Sequence, residues 1–167
     1  MRLTVAPTAD LDAATLAETR ALLEDVFAGD FSSDDWDHTV GGIHALLRDD
    51  GVFVGHAAVV ERELRHGGRA LRAGYVEGVA VRRDRRGRGH GALLMDAVEA
   101  AIQAHHELGA LSSTEEALGF YAARGWKVWE GPTSVLTPGG VVRTPDDDGG
   151  VHVLPVSAPL DLDGELT

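Results

Sequence analysis

The sequence predicts an α/β (α+β) fold, with a central, mixed, mostly antiparallel sheet flanked by helices. Three observations carry that expectation. Residues 43–81 hold runs of strand-forming residues broken by Asp49-Asp50-Gly51 and by His66-Gly67-Gly68-Arg69, the turn chemistry of an antiparallel meander. YVEGVAV (75–81) then runs into the glycine-rich turn RRDRRGRGHG, after which Leu93, Leu94, Ala97, Val98, Ala101 and Ile102 recur at helical spacing. Gly109–Ser113 follows as a short apolar strand, so this strand–helix–strand unit reads as a right-handed parallel crossover.

At 167 residues the chain is expected to form one domain, over residues 1–156, with a short acidic tail at 157–167 that is expected to be loose after Pro159. The hydrophobic fraction of 44% and charged fraction of 25% are those of a globular protein. There is no cysteine, which excludes disulfides, thiolate metal sites and a cysteine nucleophile. No apolar run is long enough to span a bilayer, and the N-terminus lacks the apolar core of a signal peptide, so a cytoplasmic location is expected. The net charge of −12 argues against a nucleic-acid or anionic-membrane partner and favours a cationic ligand.

In chain order, Arg2–Ala6 reads as an edge strand. Asp10 or Asp12 can cap a helix carrying Leu16, Leu22, Leu23, Val26 and Phe27, which Gly29 stops. DFSSDDWDHTVGG (30–42) combines four aspartates with Phe31 and Trp36. It suits either a solvated acidic loop, with a short helix capped by Ser32 or Ser33, or a surface for a polar cation. Ile43–Leu47, Val52–Glu63 and Ala70–Val81 are the meander strands. Ser113 with Glu116 fits a capping box that opens a helix to Arg124, with Gly125 just beyond its end. Trp126–Glu130 is the next strand. Val135-Leu136 and Val151–Val156 read as a closing pair, with the polar loop VVRTPDDDGG between them.

The turn after Val81 is the clearest functional signal. A strand that feeds glycines at a helix N-terminus makes an anion cradle of unpaired amides at the positive end of the helix dipole. Five of the fourteen arginines fall between Arg82 and Arg88, a local reversal of the overall charge. Just upstream, Glu77 breaks the apolar rhythm of its strand. A carboxylate there is either ion-paired, for example with Arg72, or functional. Gly78 beside it permits a bulge. Eight histidines are scattered without ligand spacing, so no metal site is inferred. Lys127 is the only lysine, which disfavours a P-loop nucleotide hydrolase.

The segment YVEGVAVRRDRRGRGHGALL, with Arg86, Gly89 and Gly91 at the spacing of the motif and FYAARGW downstream, resembles the acetyl-CoA-binding core of the GNAT N-acetyltransferases. AGDFSSDDWDHTVGG, ALRAGYVEGVAV, LGALSS, FYAARGW, GPTSVL and RTPDDDG, in that order, resemble the aminoglycoside 2'-N-acetyltransferases of that superfamily. The resemblance covers about Thr8 to Pro155. It implies the GNAT acyl-CoA N-acyltransferase fold, a homodimer, and direct transfer of acetyl from acetyl-CoA to the 2'-amine of an aminoglycoside.

The resemblance also implies roles. The coenzyme A pyrophosphate would lie on the amides of Arg86, Gly87, Arg88, Gly89, His90 and Gly91. The pantetheine arm would run along Val79, Ala80 and Val81, with the Val79 N–H as a donor to the oxyanion. Glu77 would bind substrate and act as general base. Tyr121, with a phenol pKa of about 10, would protonate the departing thiolate, the alternative being packing beside Phe120. Asp30, Asp35, Asp146 and Asp147 would bind the ammonium groups of the substrate, with Gly78 and Ser112 also on the substrate side. Asp34, Asp37 and Asp148 read as solvated turn residues. The family's chains can run further, so part of the pocket is expected to be missing or supplied by Asp161, Asp163 or Glu165.

Two other functions are compatible with the same residues. One is a GNAT enzyme acting on a polyamine, a peptide N-terminus or another metabolite amine. The other is a non-catalytic protein that holds coenzyme A or sequesters the drug, a reading that the presence of both Glu77 and Tyr121 weakens.

Overall fold

A computed structural model describes all residues, Met1–Thr167. Seven strands form one mixed sheet in the order β1-β2-β3-β4-β5-β9-β6. They are β1 (Arg2–Pro7), β2 (Ile43–Asp49), β3 (Val52–His66), β4 (Arg69–Val81), β5 (Leu108–Ser112), β6 (Lys127–Val128) and β9 (Val151–Pro155). The four helices are α1 (Ala13–Phe27), α2 (Ser33–Thr39), α3 (His90–His105) and α4 (Leu118–Ala123). β7 (Ser134–Thr137) and β8 (Gly140–Arg143) pair separately as a hairpin. The chain gathers into two compact units, Met1–Val60 with Val76–Ala101 and Glu61–Tyr75 with Ile102–Thr167.

Local chemistry explains most of the first unit. Asp12, not Asp10, caps α1, its Oδ1 accepting from the Thr15 N–H at 2.7 Å. The helix ends on Ala28 in the left-handed conformation, with Gly29 following at φ +95°. β1 pairs antiparallel with β2, and β2 with β3. Asp50 (φ +49°) and Gly51 (φ +79°) make the connecting turn, which needs two left-handed residues. Leu22, Leu23, Leu46, Phe53 and Ala80 form the core, and Phe31 and Trp36 pack against it. The two aromatics of the acidic stretch therefore have packing partners, while both stay only partly buried.

In the second unit β4 and β5 are parallel, Tyr75 registering with Ala110, as the crossover reading requires. The expected closing pair of Val135-Leu136 with Val151–Val156 does not form. Val135 and Leu136 pair with Val142 and Val141, while β9 inserts antiparallel between β5 and β6. The cause is burial. Val151 and Val153 are apolar on the inward face and join the cluster of Leu71, Ala73, Leu108 and Trp129. Val135 and Leu136 are about half exposed, at 47% and 52%.

The tail after Pro159 is not loose. Arg65 and Thr167 exchange two backbone hydrogen bonds of 2.8 and 3.0 Å, and the Trp129 indole donates to Gly164 O at 3.0 Å. Leu166 is buried in the same core, worth roughly 1.5–3 kcal/mol for a side chain of its size.

Candidate active site

The strand–turn–helix cradle forms as its sequence dictates. β4 ends at Val81, and the Arg82 N–H donates to Val54 O at 2.8 Å. Gly87 (φ +74°) and Gly89 (φ +79°) take left-handed conformations, and a Cβ at either position would meet nothing within 4 Å. The turn is thus open to whatever lies against it. α3 begins at His90, and its first internal bond runs from the Leu93 N–H to Gly89 O. The helix amides before Leu93 have no intrahelical acceptor.

Much of the arginine cluster serves the turn itself. Arg82 forks onto Asp84 through bonds of 3.0 and 3.1 Å. Arg83 donates to Asp25 O at 3.2 Å, and Arg85 to Asp49 at 3.1 Å. Arg86 Nε reaches back to Val81 O at 3.3 Å. The cation count therefore overstates the positive charge available to a ligand. His90 is only 3% exposed, with no hydrogen-bond partner for either ring nitrogen. The His90 side chain is therefore not presented at the surface of the cradle.

Glu77 lies on β4 between buried Val76 and half-buried Gly78 and Val79. Gly78 takes φ +58°, a left-handed position within the strand that favours glycine. A buried pair of rings lies beneath it. His56 Nδ1 stands 2.6 Å from Gly78 O, and His56 Nε2 stands 2.9 Å from His44 Nδ1. Burial pushes the His56 pKa down to about 3, and that of His44 below its usual value, so both rings are neutral at pH 7. Sequence reasoning missed this pair because it looked for metal spacing. The available signal was a histidine inside each of two apolar strand runs, IHALL and GHAAV.

Asp30 and Asp35 belong to the same unit. Asp30 is exposed just after α1. Asp35 is the reciprocal partner in the capping box of α2, its Oδ2 accepting from Ser32 N at 2.7 Å and Ser32 Oγ at 2.8 Å. These bonds lower its pKa, so it stays ionised. Ser32 is thus the cap, and Ser33 the first residue of the helix.

Ser112, Tyr121, Asp146 and Asp147 belong to the second unit. Ser112 is exposed at the end of β5, its Oγ 2.8 Å from the Tyr75 hydroxyl. The expected capping box of Ser113 and Glu116 is not made. Ser113 Oγ donates to Thr114 O, and a short 3-10 turn at Glu115–Ala117 precedes α4. Tyr121 on α4 is 7% exposed and meets Phe120, Trp126 and His152 at ring separations of 5.2, 6.2 and 6.4 Å. Asp146 and Asp147 are exposed in a 3-10 turn at Pro145–Asp147. Asp148 is exposed in its turn, as expected, but its carboxylate is not left to solvent alone. It pairs with Arg143 at 2.8 Å and accepts from both N and Oγ1 of Thr133 at 2.9 Å. The Arg143 guanidinium and these donors hold its carboxyl far below the usual range.

The first unit therefore collects the cradle, Val79–Val81, Glu77, Gly78, Asp30 and Asp35, and the second collects Ser112, Tyr121, Asp146 and Asp147. No three His, Asp or Glu side chains stand together as a metal-binding group.

The chain matches the family model described as "Acetyltransferase (GNAT) family" over residues 12–126. It is 50% identical over 164 residues to an aminoglycoside 2'-N-acetyltransferase of Mycolicibacterium fortuitum, covering 96% of this chain and 84% of that protein. Among solved structures it resembles a GNAT family acetyltransferase from Brucella melitensis in complex with acetyl-CoA. That match has a TM-score of 0.64 and 18% identity, over 99% of this chain and 95% of the other. Escherichia coli ElaA gives a TM-score of 0.68 at 15% identity, over 92% and 99% of the two chains.

Proposed function

This chain belongs to the acetyltransferase (GNAT) family, and from that premise we infer that it acetylates the 2'-amine of aminoglycosides, with acetyl-CoA as donor. The observation that carries the reading is the half-identity to a curated aminoglycoside 2'-N-acetyltransferase along nearly the whole chain. The residue types present suit both reactants. The amides and open glycines before Leu93 suit a pyrophosphate, and the surplus of exposed carboxylates suits a polycation.

Acetyl-CoA supplies the acetyl group as a thioester. The chain supplies the rest. The amides of Arg86–Gly91 bind the diphosphate, and Val79–Val81 hold the extended arm. Glu77 takes a proton from the attacking ammonium, directly or through a water, which leaves a nucleophilic amine. The Val79 N–H donates to the carbonyl oxygen as charge gathers there. The Tyr121 hydroxyl delivers a proton to the departing sulfur, and the second proton, lost by the nitrogen as the amide forms, restores the phenol through solvent. Asp30, Asp35, Asp146 and Asp147 attract the substrate's remaining ammonium groups, and Gly78 and Ser112 contact its sugar ring. The resemblance supports these roles, as do the half-burial of Glu77 and the left-handed Gly78 beside it.

A homodimer and a cytoplasmic location belong to the same proposal. No helix is long and apolar enough to cross a membrane. The net charge of −12 supports the absence of nucleic-acid and membrane partners. Sedimentation equilibrium over a range of concentrations tests the dimer.

The function is tested by thiol release from acetyl-CoA across an aminoglycoside panel, with the product located by NMR. Acetylation at N-2', and no turnover with a 2'-hydroxyl analogue, is the expected result. Equal acetylation of the 2'-hydroxyl analogue, or turnover only with polyamines or peptide N-termini, would overturn the substrate assignment.

A further inference from the structure

A line of three side chains ends on the backbone of Gly78 in β4. Thr8 Oγ1 lies 2.7 Å from His44 Nε2, His44 Nδ1 lies 2.9 Å from His56 Nε2, and His56 Nδ1 lies 2.6 Å from Gly78 O. Both rings are 0% exposed. Being neutral, each carries one ring proton.

That count fixes the direction of every bond. A carbonyl oxygen only accepts, so the proton of His56 is on Nδ1. Its Nε2 is then an acceptor, which puts the proton of His44 on Nδ1. His44 Nε2 accepts in turn and takes the Thr8 hydroxyl proton. That hydroxyl also lies 3.2 Å from Gly42 O, but the shorter contact to His44 takes the proton. Thr8 Oγ1 itself accepts from the Gly41 N–H at 2.9 Å. All the bonds of the line are satisfied by this single arrangement. The reverse tautomer would set a ring lone pair against Gly78 O at 2.6 Å.

The consequence lies in one peptide group. Gly78 C=O and Val79 N–H belong to the same planar unit, and in a trans peptide they point in opposite directions. A donor that holds the carbonyl inward therefore aims the Val79 N–H outward, and it polarises the amide so that the N–H donates more strongly. Gly78 takes the left-handed φ of +58° here, which favours glycine. A Cβ at Gly78 would sit 3.2 Å from His56 Nδ1 and Cε1 and from Thr39 Cγ2, so the ring is packed tightly under Gly78.

We propose that His56, oriented by His44 and Thr8, is a positioning residue that locks the Gly78–Val79 peptide so that the Val79 N–H faces the thioester carbonyl. The inference rests on the role proposed above for Val79. His56 touches neither substrate, and its effect passes through one hydrogen bond.

Two substitutions separate this role from packing. His56→Asn keeps a donor at the place of Nδ1 and loses the contact with His44, whereas His56→Leu fills space and donates nothing. With His56→Leu, kcat is expected to fall about 10–100-fold, with the acetyl-CoA Kd changed less than about threefold, the scale of a misplaced oxyanion donor. His56→Asn is expected to recover most of that loss. In the unaltered protein, 15N-histidine NMR is expected to find His56 protonated on Nδ1, and the Val79 amide resonance is expected to move in His56→Leu and far less in His56→Asn. An unchanged kcat in His56→Leu, equal losses in both variants, or an Nε2-protonated His56 would overturn the proposal. If His56→Leu does not fold, the tautomer and the kcat of His56→Asn still decide it. If the unaltered protein acetylates no aminoglycoside, the functional reading fails by itself, while the tautomer and the Val79 resonance still report on the peptide lock.

Discussion

The Tyr75 hydroxyl and the Ser112 hydroxyl lie 2.8 Å apart, joining neighbouring parallel strands, with Ser112 two residues beyond Ala110, the register partner of Tyr75. The Arg62 guanidinium covers the Tyr75 ring at 4.3 Å. Ser112 was expected from sequence to face the substrate, and here its hydroxyl already has a partner in the sheet. If that bond ties β4 to β5, Tyr75→Phe and Ser112→Ala will couple in a double-mutant cycle of urea unfolding by about 0.5–1 kcal/mol. Additive losses would mean that the contact contributes nothing to stability.

Glu77→Gln keeps the size of the side chain and removes the base. In the thiol-release assay kcat is expected to fall by about 10²–10⁴, the usual contribution of a general base. Acetyl-CoA affinity should be unchanged, since the cradle lies downstream in Arg86–Gly91. A loss below about tenfold would send the role of base elsewhere.

Gly89→Ala tests the cradle without filling it. The position is at φ +79° with no atom within 4 Å of a new Cβ, so the only cost is backbone strain. Relaxing that strain moves the amides at the start of α3. The KM for acetyl-CoA is expected to rise about tenfold, equivalent to about 1.4 kcal/mol, with kcat nearly constant. A fall in kcat at constant KM would place the glycine in the chemical step instead.

The buried histidines predict an acid sensitivity. The folded chain keeps His56 neutral down to about pH 3. In the unfolded chain the ring takes a proton near pH 6.5, the ordinary histidine value. Between those limits the unfolded state binds the extra proton, so stability falls as the pH drops below about 6.5, by up to about 1 kcal/mol per unit. His44, also lowered by burial, contributes with the same sign. Urea midpoints measured at pH 7 and pH 5 should show the loss, and His56→Asn should reduce it. The same loss in both proteins would assign the effect to other groups.

Parts of this chain were legible because their causes are local. Asp12 caps α1 from three residues away, and Asp50-Gly51 turns β2 into β3. Gly87 and Gly89 open the end of β4 into α3 through their own backbone freedom. Other readings failed where partners are distant. Val151 and Val153 left Val135-Leu136 for a place beside β5 because the core there takes apolar side chains. The exposed Asp148 was read without its partners Thr133 and Arg143. The acidic tail is held by Arg65, Trp129 and the burial of Leu166.

By itself the sequence determined the strand–turn–helix cradle, the family and the identity of the chemical groups, since glycine freedom, helix periodicity and charge act over a few residues. The tertiary structure alone decided which arginines brace the turn and which strand lies between β5 and β6. It also put two histidines twelve residues apart in line under Gly78. Those outcomes depend on competition for buried volume and for hydrogen-bond partners, and that competition arises only when distant segments meet.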